Sequence, residues 1–205
     1  GMGPSNAKRA MQEAIELSGR YGIGCVALRN TNHWMRGGAY GLQASDAGCI
    51  GICFTNTIPN MPPWGGKESR IGNNPFIISI PRKDGHIMLD MAISQYSFGM
   101  IERMAKEEKM LPVPGGYDIN GCLTNDPKLL WESNHVLPIG FWKGSGLSIM
   151  LDLLSSILAQ GNSTYEIGKL PAEFSICQTF IAIHPGKIGD PSFIEKCIED
   201  TVAYI

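Results

Sequence analysis

Apolar residues recur along this chain with two periods, helical and alternating, and the changes between them divide it into elements. Over residues 5–21, Ala7, Met11, Ala14, Ile15 and Leu17 share one helical face, with Ser5 or Asn6 as the cap, which predicts an amphipathic helix. Residues 22–28 (GIGCVAL) form a short apolar run of buried-strand type. Residues 37–47 predict a second helix and residues 49–55 a strand. Proline and glycine then crowd residues 59–75, as fixed turns require. Two strands over 76–80 and 86–91, joined through Lys83, Asp84 and Gly85, predict a hairpin. Residues 98–110 alternate charge and apolarity at helical spacing, and 111–137 reads as a long ordered loop of the sort that serves a site or an interface. A strand within 173–184 (FIAIH) and a helix over 192–205 complete the chain.

The most apolar segment lies between these. Leu147, Ile149, Met150, Leu151, Leu153, Leu154, Ile157 and Leu158 wrap nearly the whole helical circumference, which predicts a core helix buried on most sides and stopped at Gly161. Its run falls well short of the roughly 20 residues of a membrane span, and Asp152, Ser155 and Ser156 interrupt it. Strands and helices interleave without the steady βα alternation of a doubly wound fold. The expected class is therefore α/β in the α+β sense, a mixed, mostly antiparallel sheet with helices packed on it.

At 205 residues the chain fits a single domain, 1–205, large enough for a substantial core. A formal charge of -2 and no lysine or arginine cluster argue against a nucleic-acid partner. No secretory leader is legible at the N-terminus, so the expected compartment is the cytoplasm. The six cysteines are scattered, with no C-x-x-C pair, and read as reduced, mostly buried thiols.

Candidate chemistry gathers in two places. Asn32, His33 and Arg36 follow a strand and precede a helix, where a donor, an imidazole and a guanidinium can converge on a carboxylate or carbonyl; alternatively His33 only ties the loop to its backbone and Arg36 is solvated. Gly144 and Gly146 leave first-turn N–H groups open beside Lys143, an arrangement suited to an anion. GSGLSI at 144–149 begins like the dinucleotide fingerprint, yet Ile149 stands where its third glycine belongs, so a Rossmann site is disfavoured. Arg70, Asn73 and Asn74 read first as turn residues. His135 and His184 have no partner motif and read as structural.

At these segments the chain resembles a known family. ALRNTNHWMRGGAYG, NTIPNMPPWGGKESRIGNNP, LDMAISQYSFG and LPIGFWKGSGLSIMLDLLS are similar to the malate/L-lactate dehydrogenases that lack a Rossmann fold, and within them to the 2,3-diketo-L-gulonate reductase branch. The resemblance covers essentially the whole chain. It implies a reductase of 2-oxo acids, such as 2,3-diketo-L-gulonate or a related sugar acid, that uses NADH or NADPH. It also implies a homodimer with the nucleotide near the subunit interface. Carried over by position, His86, Ile87, Met88, Leu89, Asp90, Met91 and Ala92 contact the nucleotide, as do Trp142 and Lys143. Asn32 and Arg36 then fall beside the substrate, and His33 and Asp90 become the candidate catalytic pair, Asp90 orienting its partner.

The resemblance also implies longer relatives, with an N-terminal Ser-His-Gly segment that supplies the proton donor and a C-terminal Gly-His-Glu or similar segment at the nucleotide. No Ser-His pair occurs in this sequence. Loss of a positioned acid lowers turnover by about 10² to 10⁴. His33 is the candidate stand-in. Two further expectations remain open: a noncatalytic dimerising scaffold, and a chain completed by a separately encoded N-terminal piece.

Overall fold

The computed structural model describes residues 1–205. In order, its elements are α1 (Gly3–Tyr21), β1 (Ile23–Thr31), α2 (Gly38–Asp46), β2 (Ile50–Thr55), β3 (Phe76–Ile80), β4 (Ile87–Met91), α3 (Phe98–Lys106) and β5 (Gly116–Tyr117). There follow β6 (Leu123–Thr124), α4 (Pro127–Ser133), β7 (His135–Val136), α5 (Trp142–Ala159), α6 (Thr164–Ile167), β8 (Ile176–Ile183), α7 (Pro185–Ile188) and α8 (Pro191–Tyr204). The main sheet has five strands in the order β1-β8-β2-β3-β4, and every neighbouring pair is antiparallel. The expected antiparallel sheet with packed helices is borne out. A dinucleotide site of Rossmann type needs parallel βαβ units, which this topology does not contain.

Consecutive strand residues serve opposite faces of the sheet. Cys53, Ile77, Phe180 and Ala182 meet Ala7, Met11 and Ala14 of α1 and Ala44 of α2 on one side. Phe54 on the other side shares a core with Ile93, Ile101, Leu111, Leu130, Val136 and Leu151. Contact under α1 is close: a Cβ on Gly24 would lie 2.0 Å from the Ala14 carbonyl oxygen. Helix α1 also starts earlier than the Ser5 or Asn6 cap predicts. Pro4 tolerates the first turn, Met2 is the cap, and the Asn6 side chain donates instead to Thr31 Oγ1 at 3.0 Å.

Two expectations need correction. The stretch 111–137 is not one loop; it contains α4 and a second sheet, ordered β6-β5-β7. The larger correction concerns α5. Gly144, Ser145, Ser148, Leu151 and Ser155 are its buried positions, whereas Ile149, Met150, Leu153, Leu154, Ile157 and Leu158 lie on the outside, Ile157 at 68% exposure. Small side chains bring the helix close to its neighbours, and serine and aspartate satisfy the polar loops beneath it. Ser148 Oγ donates to the Gly72 carbonyl at 2.6 Å, and Asp152 Oδ1 accepts from Asn56 Nδ2 at 2.9 Å and from the Thr164 N–H at 2.8 Å. Apolar content alone does not decide which face turns inward.

The thiols divide as burial dictates. Cys25, Cys122 and Cys197 are exposed, and Cys49, Cys53 and Cys177 are buried, so the expectation of mostly buried thiols holds for half of them. Burial, then the Asp152 charge, pushes the Cys177 thiol up to about 11, against a smaller opposing effect of Arg29. At pH 8 its thiolate is then about one part in a thousand. A timed titration with an aromatic disulfide reagent is expected to label Cys122 and Cys197 at once and Cys25, raised by burial, more slowly. The three buried thiols should react only on unfolding. Immediate labelling of Cys177 in the folded chain would contradict its burial.

Candidate active site

The segment between β1 and α2 is fixed by its backbone and leaves its polar side chains free. The Asn32 carbonyl accepts from Gln178 Nε2 at 3.0 Å, and Gln178 is fully buried. Trp34 is buried against Tyr40 and Phe180, each with its ring centroid 5.8 Å from that of the tryptophan, and the Tyr40 hydroxyl donates to the Trp34 carbonyl at 2.7 Å. Gly37 permits this packing, since a Cβ there would lie 2.4 Å from Ile77 Cδ1 and 2.9 Å from the Trp34 ring. Asn32, His33 and Arg36 remain exposed on the resulting frame.

His33 Nδ1 accepts the Met35 N–H at 3.0 Å, across a turn that places Met35 at φ 67°. With Nδ1 occupied as an acceptor, the neutral ring carries its hydrogen on Nε2. The loop-tying role left open for His33 is therefore present in the structure, and it leaves Nε2 available as a donor.

Asp90 reaches this segment from edge strand β4. Its Oδ2 accepts the Gly38 N–H at 3.1 Å, so a carboxylate from the sheet occupies the N-terminus of α2, where no local side chain caps the helix. A Cβ on Gly38 would lie 2.5 Å from that oxygen. Beneath it, burial and then the Asp90 charge raise the Cys53 thiol.

Strand β4 has one paired edge, through Met88 to Ser79 and Asp90 to Ile77, and its other edge is open. Ile87, Met88 and Leu89 are all substantially exposed. His86 precedes the strand and is engaged locally: Nδ1 accepts the Arg82 N–H at 3.1 Å and Nε2 lies 3.1 Å from Asp46 Oδ1. Beyond the strand, the Ile93 carbonyl accepts the Ile139 N–H at 2.8 Å, and the Gln95 N–H donates to the Leu137 carbonyl at 2.7 Å. These bonds lace the continuation of β4 to the segment that leads into α5, where Trp142 and Lys143 form the first turn.

At that turn the structure revises the role of the glycines. Gly144 is there for packing, because a Cβ would lie 2.1 Å from the Ile139 carbonyl oxygen, and Gly146 faces open space two positions further. Trp142 and Lys143 are exposed, and the cap, Phe141, takes φ 60° and ψ -117° while its ring lies 4.6 Å from that of Trp64. An open apolar strand, an exposed indole and an ammonium group without an ion-pair partner fit a ligand with a flat ring and an anionic end.

The sequence pattern of the malate/L-lactate dehydrogenases matches residues 1–205. The chain belongs to that family. It is 50% identical over 190 residues to the 2,3-diketo-L-gulonate reductase of Salmonella typhi, an alignment of 92% of this chain and 57% of that protein. Among solved structures, malate dehydrogenase from Entamoeba histolytica superposes with a TM-score of 0.89 at 31% identity, over 98% of this chain and 60% of its own. Sulfolactate dehydrogenase from Methanocaldococcus jannaschii gives 0.85 at 30% identity, over 100% and 60%. This chain thus spans less than two thirds of the length of these relatives.

Arg70, Asn73 and Asn74 lie outside the site. Arg70 pairs with Glu68, Asn73 Oδ1 accepts from Asn60 Nδ2 at 2.9 Å, and buried Asn74 holds the Thr57 N–H and the Ser148 carbonyl. The bond between buried Asn56 and half-buried Asp152 was missed; the one visible signal was an aspartate within the most apolar helix. No three metal-ligating side chains come together, and no helix is long and apolar enough to cross a membrane.

Proposed function

We propose that this chain is a nicotinamide-nucleotide-dependent reductase of 2-oxo acids, with a sugar acid such as 2,3-diketo-L-gulonate as substrate and NADH or NADPH as reductant. The observation that carries the reading is Asp90. One carboxylate joins exposed strand β4 to the frame that presents Asn32, His33 and Arg36. The 50% identity to 2,3-diketo-L-gulonate reductases supports the substrate class.

In this reading His86, Ile87, Met88, Leu89, Asp90, Met91 and Ala92 form the nucleotide strand, His86 acting by fixing its start. Trp142 and Lys143 hold the nucleotide at the first turn of α5. When bound, the reduced nicotinamide supplies a hydride to the carbonyl carbon. Arg36 pairs with the substrate carboxylate, Asn32 donates to a neighbouring oxygen, and His33 donates Nε2–H to the carbonyl oxygen. Full proton transfer from His33 would require the imidazolium, which cannot keep Nδ1 as acceptor of the Met35 N–H. His33 therefore polarises the carbonyl, and the proton that completes the alcohol comes from solvent or from an acid outside these residues. That geometry also favours a second reading, in which the chain binds nucleotide without turnover.

We take residues 1–205 as one unit of a cytoplasmic homodimer. The rows Ile149, Leu153, Ile157 and Met150, Leu154, Leu158 form the outer apolar face of α5, and such a surface marks an association site. The double variant Leu153→Ser/Ile157→Ser is expected to convert dimer to monomer in light scattering; an unchanged mass would place the interface elsewhere. Turnover itself is tested by following NADH and NADPH oxidation with 2,3-diketo-L-gulonate and simpler 2-oxo acids. Steady oxidation with either nucleotide supports the enzyme, whereas saturable nucleotide binding without oxidation supports the second reading.

A further inference from the structure

We propose a second binding site, for a small hydroxylated anion, in the cavity of about 380 Å³ between residues 62–67 and the β5–β6 turn. None of Asp90, Trp142 or Lys143 lines it, and it goes beyond the nucleotide reading.

Both walls are set by bonds that need no ligand. On one side the Trp64 N–H donates to Ser145 Oγ at 2.7 Å, and the Gly66 N–H closes a turn on the Pro63 carbonyl at 2.8 Å. On the other, Asp118 Oδ1 accepts the N–H groups of Asn120 at 2.9 Å and Cys122 at 2.8 Å, which fixes the turn between β5 and β6. Tyr117 and His135 are directly paired across β5 and β7 and so share one face of the small sheet, while their neighbour Val136 turns into the core.

Between these walls several polar groups have no partner in the protein. Glu68 pairs with Arg70 and leaves Lys67 without an ion pair. The Tyr117 hydroxyl, the His135 ring nitrogens and the Asn120 side-chain amide make no hydrogen bond, although Ser133 Oγ secures the backbone on both strands by donating to the Tyr117 carbonyl at 2.6 Å and accepting the His135 N–H at 3.2 Å. Lys67 and His135 select a negative end. Asp118 Oδ2, the Tyr117 hydroxyl and the Asn120 amide offer acceptors and donors that match hydroxyl groups and would be left unpaired by an apolar ligand. The volume falls in the range of small-molecule sites, roughly 300 to 1,000 Å³. A sugar-acid carboxylate and a sugar phosphate share this chemistry.

The test is calorimetric titration with D-gluconate and, separately, with ribose 5-phosphate, up to about 10 mM. The ring signals of His135 are followed in parallel by nuclear magnetic resonance. Saturable binding of at least one probe is expected, with a shift at His135 and about tenfold weaker binding in Lys67→Ala and in Tyr117→Phe. Lys67 is exposed and Tyr117→Phe keeps the ring, so both variants should melt like the parent. Tighter binding of gluconate assigns the site to carboxylates, and tighter binding of ribose 5-phosphate assigns it to phosphates. Absence of saturable binding by either probe, or affinity unchanged in Lys67→Ala, would overturn the site. Lys143→Ala should leave both probes unaffected, which separates this cavity from the nucleotide station.

Discussion

Replacing Trp34 with alanine is expected to destabilise the chain by about 3 to 5 kcal/mol, the range for loss of a fully buried large aromatic. Trp34 is 1% exposed, touches Tyr40 and Phe180 at 5.8 Å, and lies in the core that α1 and α2 make with the sheet. Because the stability of a domain totals only about 5 to 15 kcal/mol, this variant should unfold at much lower urea. Tyr40→Phe is the control. It keeps the ring and removes the hydroxyl, with its bond to the Trp34 carbonyl and its longer contact to the Pro4 carbonyl, and should cost about 1 kcal/mol. Equal midpoints for Trp34→Ala and Tyr40→Phe would contradict the packing described for this segment.

The second large effect is on chemistry. Asp90→Asn keeps an oxygen that accepts the Gly38 N–H, so the α2 N-terminus should stay capped and the fold intact. It removes the charge. Where the chain turns over, NADH-dependent reduction should fall by about 10²-fold or more, as expected if the carboxylate charge serves the reaction beyond capping α2; no bond joins Asp90 to His33, whose ring is held by the Met35 N–H. Wild-type turnover in Asp90→Asn would reduce Asp90 to a helix cap. Asp90→Ala distinguishes the roles further, because it removes the cap as well and should lower both stability and turnover.

Much of the fold was legible because its periodicities are local. The hairpin of β3 and β4, the helix α2 and the strand β8 follow from alternation and turn residues, and their antiparallel pairing follows from the missing βα alternation. Helix α5 was misread because its buried seam is glycine and serine apart from Leu151. Only the partner loops, with the Gly72 carbonyl and Asn56 waiting for Ser148 and Asp152, explain why small polar residues face inward. The small sheet escaped notice since its strands are two residues each, shorter than any alternation can register.

The site shows the same division. Asn32, His33 and Arg36 were visible as a polar loop between a strand and a helix, but the bond from the Met35 N–H to His33 Nδ1 was not, and it decides which ring nitrogen can serve a substrate. The connection of Asp90 to Gly38 spans 52 positions and depends on the register of β3 with β4. Lys67 and His135 lie 68 positions apart and meet only because the small sheet folds beside residues 62–67.

In the proposed function, this antiparallel sheet holds a nicotinamide nucleotide at β4 and the first turn of α5. Titrating the chain with NADH, then with NADPH, while following nicotinamide fluorescence tests it most directly, with Lys143→Ala as the paired variant. Saturable binding of at least one nucleotide is expected, weakened about tenfold when the Lys143 charge is removed. No saturable binding of either nucleotide, or equal affinity in the wild type and Lys143→Ala, would contradict it.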